Sequence, residues 1–172
     1  TIRCYDRVST TVLNAYVGPV LNEYLQSLTA KLARAGFAGV LLVMQSNGGV
    51  ARPEITLQRP ATTLLSGPAA GPRAAAVYAR LHGREDCILF DMGGTSFDAS
   101  LVRRGAAAMD NAGEIDRLRI ALPMMAIKTI GAGGGSIGWI DEGGLLRMGP
   151  ASAGALPGPA CYGRGGAEPT VT

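Results

Sequence analysis

Two apolar runs, residues 87–90 and 97–102, flank Asp91-Met92-Gly93-Gly94-Thr95-Ser96, and this arrangement constrains the chain more than any other stretch of it. Apolar and polar residues alternate through Phe97, Ala99, Leu101 and Val102, as in a strand with one covered face. A Gly-Gly-Thr turn between the runs predicts a β-hairpin. Such a turn presents several backbone N–H groups at one point with no Cβ in the way, so an anionic oxygen can approach the main chain closely. Thr95 and Ser96 add hydroxyl donors. Asp91, at the end of a strand beside that anion site, suits a hydrated divalent cation, because Mg²⁺ prefers carboxylate and water oxygens and keeps several waters. Asp98 can orient the turn or reach a water on the same cation. The plain alternative is a Gly-Gly turn whose aspartate hydrogen-bonds its own backbone.

The elements around this hairpin predict an α/β fold. Possible caps at Ser9 and Thr10 precede apolar positions Val20, Leu21, Tyr24, Leu25, Leu28 and Leu32 at helical spacing, with Gly36 placed to cap the C-terminus and Pro19 to start or kink the main helix. Residues 40–44 form a continuous apolar run, expected as a strand buried on both faces in a parallel sheet. Gln45-Ser46-Asn47-Gly48-Gly49 ends that run, where open α/β sheets place ligands; a simple strand-ending turn is the alternative. Ser66-Gly67-Pro68 leads an alanine-rich stretch, residues 69–79, whose first turn is expected to hold Pro68. Residues 124–130 and 137–140 read as strands around the loop Gly131-Ala132-Gly133-Gly134-Gly135-Ser136, which lets backbone pass close to phosphate or to another strand. It matches neither a Walker loop nor a dinucleotide fingerprint. A further hairpin is expected around Gly143 and Gly144, and loop thereafter.

Composition narrows the partners. Glycine is 25 of 172 residues, roughly 15% against about 7% in ordinary domains, but glycine with proline stays under the roughly 25–30% typical of disordered chains. With 47% hydrophobic residues the chain can build a core. Net charge is +3 with no Lys/Arg run, and only 5% of residues are aromatic, which argues against a nucleic-acid backbone footprint or a stacking platform. The longest apolar run is far short of the roughly 20 residues that span a bilayer. No secretory pattern opens the sequence. Cys4, Cys87 and Cys161 are odd in number and widely spaced, which fits reduced thiols and a cytoplasmic location. His82 cannot build a histidine metal site alone and suits the end of the alanine helix. Cys161 has no histidine base nearby in sequence, Cys87 reads as core, and Trp139 as packing between the glycine loop and the final hairpin. Arg117, Arg119, Arg147 and Arg164 read as surface or partner contacts, with Arg164, set among glycines, the best placed for an anion.

The order of parts is more specific than any one of them. Ser66-Gly67-Pro68-Ala69-Ala70-Gly71, then Phe90-Asp91-Met92-Gly93-Gly94-Thr95-Ser96-Phe97-Asp98, Thr129-Ile130-Gly131-Ala132-Gly133-Gly134-Gly135-Ser136 and Pro157-Gly158-Pro159-Ala160-Cys161-Tyr162-Gly163 resemble the hydantoinase A and 5-oxoprolinase family. Residues 10–16 and 45–49 fit the same pattern. The resemblance implies an incomplete ribonuclease-H-like fold of the actin, sugar kinase and heat-shock chaperone ATPase superfamily, with residues 1–83 ending a first lobe or joining the lobes and 84–172 starting the second. It implies ATP-dependent opening of a cyclic amide such as a hydantoin or 5-oxoproline; an acetone-type carboxylase subunit and a non-catalytic nucleotide-binding remnant are the alternatives. ATP and Mg²⁺ are the implied cofactors, with a B-type partner subunit or a homo-oligomer as implied assembly. Asp91 and Asp98 take catalytic places, Asp91 holding Mg²⁺ through water. Gly93, Gly94, Thr95, Ser96, Gly133, Gly134, Gly135 and Ser136 surround phosphate, and Ser46, Asn47, Gly48 and Gly49 form a substrate or inter-lobe loop. The superfamily's first phosphate loop is expected before residue 1 and its adenine-contacting segment after residue 172, so half a nucleotide cleft, inactive by itself, is expected here. Gly67 stands where chaperone ATPases have a glutamate, so that water-positioning role does not transfer.

Overall fold

The computed structural model describes residues 4–172. Helix α1 runs from Cys4 to Arg34, with Asp6 in its first turn and Lys31 and Arg34 in its last, each sign placed to complement the helix dipole. Gly36 caps it at φ +78°. The Gly36 N–H donates to the Ala33 carbonyl and the Phe37 N–H to that of Leu32, the paired bonds of a Schellman closure. Ser9 and Thr10 are not caps. Both lie inside α1, where the Thr10 hydroxyl donates to the Asp6 carbonyl at 2.6 Å, a back-bond across one helical turn. Pro19 is also interior, so the main helix begins well before it.

Strands β1 (Val43–Met44) and β2 (Val50–Ala51) form an antiparallel pair. The expected parallel strand buried on both faces is not found. Val40 and Leu42 are exposed, and the turn at 45–49 returns the chain at once, whereas parallel pairing needs a crossover of about a dozen residues. Helix α2 (Pro53–Thr56) and a 3-10 turn (Pro60–Thr63) lead to helix α3 (Ala70–Leu81). Pro68 precedes α3, and its first turn holds the buried Pro72 instead, at a position whose N–H has no helical acceptor. His82 is the C-cap of α3.

The hairpin strands follow as β3 (Cys87–Met92) and β4 (Phe97–Arg103). Four short strands follow: β5 (Ala106–Ala107), β6 (Met109–Asp110), β7 (Gly113–Ile115) and β8 (Leu118–Ile120). The single strand expected at 124–130 divides into β9 (Met124–Met125), paired with β6, and β10 (Ile127–Ile130), paired with β4. Strands β11 (Ser136–Ile140) and β12 (Leu146–Ser152) form the last antiparallel pair, and a 3-10 turn (Ala160–Tyr162) follows.

The described residues form two compact units. The first comprises those up to Cys87 together with Val102–Ala126, and the second Ile88–Leu101 with Ile127–Thr172. The first has a small apolar core of Leu13, Ile120 and Met124, with Leu64, Ile115 and Leu122 packed against it. In the second, the sheet order is β10, β4, β3. Its buried centre includes the main chain of residues 133–136, Gly149 and Gly158, so backbone packs there against backbone.

Candidate functional site

In the second unit the Gly93 N–H donates to the Ser96 carbonyl at 3.0 Å, which closes a two-residue loop at Gly94 and Thr95. The N–H groups of Gly94, Thr95 and Ser96 donate to no protein acceptor among the described residues. Three such donors on one turn make a nest for an anion. The glycine loop lies directly on this turn, with Gly134 N–H donating to Gly93 O at 2.9 Å and Gly135 N–H to Gly94 O at 2.8 Å. Only a bare chain can come so close: a Cβ on Gly133 would sit 2.6 Å from the amide nitrogens of both Thr95 and Ser96. The buried Ser136 hydroxyl accepts from Gly133 N–H at 3.0 Å, and Ser136 N–H donates to Gly133 O at 2.9 Å, so this serine holds the loop's own turn.

The two aspartates share one face of the hairpin. The rings of Phe90 and Phe97 meet at 5.3 Å, which puts both on the same face. Strand alternation then gives the opposite face to Asp91 and Asp98. Thr129 stands across from Asp98 in the β10–β4 register, and its hydroxyl donates to the Asp98 carboxylate. Asp91 is exposed. No group of three or more His, Cys, Asp or Glu comes together among the described residues. One or two carboxylates beside an anion nest fit a hard cation that keeps its waters and takes further oxygens from phosphate.

Beside the turn lies a cavity of about 310 Å³ lined by Gly94, Thr95, Gly135, Ser152, Tyr162 and Arg164 among others, within the size range of small-ligand pockets. The guanidinium carbon of Arg164 stands 5.8 Å from the centre of the Tyr162 ring. Sequence reasoning singled out Arg164 by its glycine neighbours but missed Ser152 and Tyr162, which no local signal joins to the hairpin.

The 45–49 turn belongs to the first unit. Its conformation is held internally: Gln45 N–H donates to Gly49 O at 2.8 Å, and Asn47 Oδ1 accepts from Gly49 N–H at 2.8 Å. Ser46 is buried, with its hydroxyl 2.6 Å from the carbonyl oxygens of both Thr62 and Leu64. Asn47 is the exposed member of the group. Cys161 is exposed and Cys87 half-buried rather than core, its Sγ 3.8 Å from the Ala75 carbonyl. Trp139 is partly exposed on β11 and donates to the Gly149 carbonyl at 2.7 Å.

The caprolactamase subunit alpha of Pseudomonas jessenii is 45% identical over 171 residues, 99% of this chain and 25% of that protein. The 5-oxoprolinase of Saccharomyces cerevisiae is 37% identical over 170 residues, 96% of this chain and 13% of that one. The crystal structure of the ATP-dependent caprolactamase from P. jessenii superposes with a TM-score of 0.84 at 45% identity, over 99% of this chain and 25% of that one. Nucleotide-free acetone carboxylase gives 0.75 at 29% identity, over 96% and 23%. This chain therefore spans about a quarter or less of the relatives it matches, and it shares a mixed α/β fold with the two solved structures. The hydantoinase/oxoprolinase family pattern matches residues 7–172, and the chain belongs to that family.

Proposed function

We propose that these residues form the phosphate-binding part of an ATP-dependent enzyme that opens a cyclic amide, of the kind for which the caprolactamase and 5-oxoprolinase relatives are named. The observation that carries this reading is the turn at Gly93–Ser96, whose three free amide donors are backed by a side-chain-free loop. In this reading the second unit belongs to a ribonuclease-H-like lobe, and the protein works in the cytoplasm with a partner subunit or a second copy.

The N–H groups of Gly94, Thr95 and Ser96 hold phosphate oxygens, and the Thr95 hydroxyl adds a donor. Asp91 holds Mg²⁺ through water, while Asp98, fixed by the Thr129 hydroxyl, orders water on the same face. ATP, when bound, would supply a phosphoryl group to the amide oxygen and so make the carbonyl carbon a better electrophile for water. The protein's contribution is positioning and charge neutralisation by groups already in place. Gly133, Gly134 and Gly135 keep the turn in the shape that aims its amides. Ser46, Asn47, Gly48 and Gly49 stand as a substrate or inter-lobe loop, with Asn47 its exposed side chain.

Asp91→Asn in the full polypeptide containing these residues should abolish ATP turnover while leaving circular dichroism and melting unchanged. Unchanged turnover would defeat the assignment. Assays with caprolactam, 5-oxoproline and a hydantoin, against acetone plus bicarbonate, separate ring opening from ketone carboxylation; ATP-dependent ring opening is the expected result.

A further inference from the structure

We infer that Arg164, held by Tyr162, is a phosphate-chain ligand that completes the anion site begun by the 94–96 amides. The inference rests on the nucleotide reading above and extends it to a segment 60 to 70 residues further along the chain.

Residues 153–172 look like unstructured loop by composition, yet they are tied to the glycine loop through the main chain. Ala153 N–H donates to Gly135 O at 2.8 Å, Val171 N–H to Ser136 O at 3.1 Å, and Thr172 N–H to Gly134 O at 3.0 Å. Gly138 N–H reaches Pro169 O at 2.8 Å. The segment between these ties turns tightly: Gly158 at φ +78° passes so close to Tyr162 that a Cβ there would lie 2.8 Å from the ring, and Gly163 at φ +65° reverses the chain. These turns bring Tyr162 and Arg164 to the wall of the cavity that Gly94 and Thr95 also line.

The charges there are one-sided. The ion pairs among the described residues join Arg119 to Asp6 and Arg147 to Asp141, and Arg164 has no carboxylate partner. The amides of Gly94, Thr95 and Ser96 have no acceptor, and the Ser152 hydroxyl, which accepts from Gly154 N–H at 3.2 Å, keeps its proton to donate. A cavity lined by Gly94, Thr95, Ser152, Tyr162 and Arg164, with no Asp or Glu in its lining, is complementary to a polyanion. A planar guanidinium over a ring face is restrained in orientation, and it presents two parallel N–H donors to phosphate oxygens.

The test is calorimetric titration of the full polypeptide with Mg·ATP, Mg·ADP, AMP and inorganic phosphate, unaltered and as R164A, R164K and Y162A. R164A should weaken Mg·ATP by about tenfold or more, as expected for loss of a charge-assisted hydrogen bond, and leave AMP unchanged. R164K should recover part of the loss, because it restores charge without the fork. Y162A should fall between R164A and the unaltered protein; if R164A does not fold, R164K and Y162A decide the matter against AMP as the internal control. Mg·ATP affinity unchanged in R164A overturns the inference alone. So does an equal loss for ATP and AMP, which marks a structural role, or a loss confined to inorganic phosphate, which marks a free-phosphate site. Absence of any nucleotide binding by the unaltered protein overturns the nucleotide reading and this inference with it.

Discussion

Gly133 and Gly94 sit on the two sides of one contact and differ in what a methyl group would meet. At Gly133 it collides with the amides of Thr95 and Ser96 at 2.6 Å, whereas at Gly94 it meets nothing within 4 Å. Gly133→Ala is expected to cost about 1–3 kcal/mol in thermal denaturation, as overpacking does, and to weaken Mg·ATP binding with it. Gly94→Ala should leave stability within about 1 kcal/mol; equal effects of the two would refute the backbone-contact account. Asp141 makes a second prediction. Its carboxyl is held below its ordinary value of 3.8 chiefly by the Leu145 N–H and then by Arg147, with desolvation opposing them and the Gly143 N–H adding a lesser lowering. The folded form therefore binds the proton less tightly than the unfolded one. Its contribution is complete above the ordinary value and is lost as pH falls below it. Acidification from about pH 6 to about pH 3 should lower the melting temperature of the unaltered protein more than that of Asp141→Asn; parallel curves would rule this out. Both residues were visible in the sequence, but only Asp141, in a local turn, had its partners within reach of sequence reasoning.

At the scale of elements, polar side chains of α1 hold neighbouring segments by their main chain. Asn14 Oδ1 accepts from the buried Ala61 N–H at 2.9 Å, and Thr10 Oγ accepts from Ala121 N–H at 2.8 Å. Asn14→Ala strands a buried amide and should cost about 1–3 kcal/mol, while Asn14→Asp keeps the acceptor and should restore most of it in urea denaturation. A loss that Asp does not recover would point to packing instead. The end of α1 was legible because Gly36 must adopt positive φ there. Its start was not, since Ser9 and Thr10 are as good at back-bonding inside a helix as at capping one. The hairpin strands were legible from their alternation and their turn. The division at Ala126 was not, because Met124–Met125 and Ile127–Ile130 pair with different strands far away in sequence.

Across the whole molecule, much apolar surface lies open. Tyr5, Val8, Val12, Tyr16, Val20 and Tyr24 recur at three- and four-residue spacing along α1 and are all exposed, as are Ile88, Phe90, Met92 and Ile130 on the second unit's sheet. Faces of this kind exceed what monomeric proteins usually leave to water. The 172-residue chain by itself is expected to bind an apolar dye and to associate as its concentration rises, by light scattering; a monomer that binds no dye would contradict this. The glycine excess acquires a place at this scale too, since residues 133–135 and 158 allow main chain to pack where side chains would collide. By itself the sequence determined the Asp91–Thr95 hairpin, the C-cap of α1 and the glycine loop, because each follows from the conformational limits of adjacent residues. The tertiary structure alone decided that the glycine loop packs on the hairpin turn and that Arg164 joins the same cavity. Those are contacts between segments roughly 40 to 70 residues apart, set by packing and hydrogen bonding that no local pattern encodes.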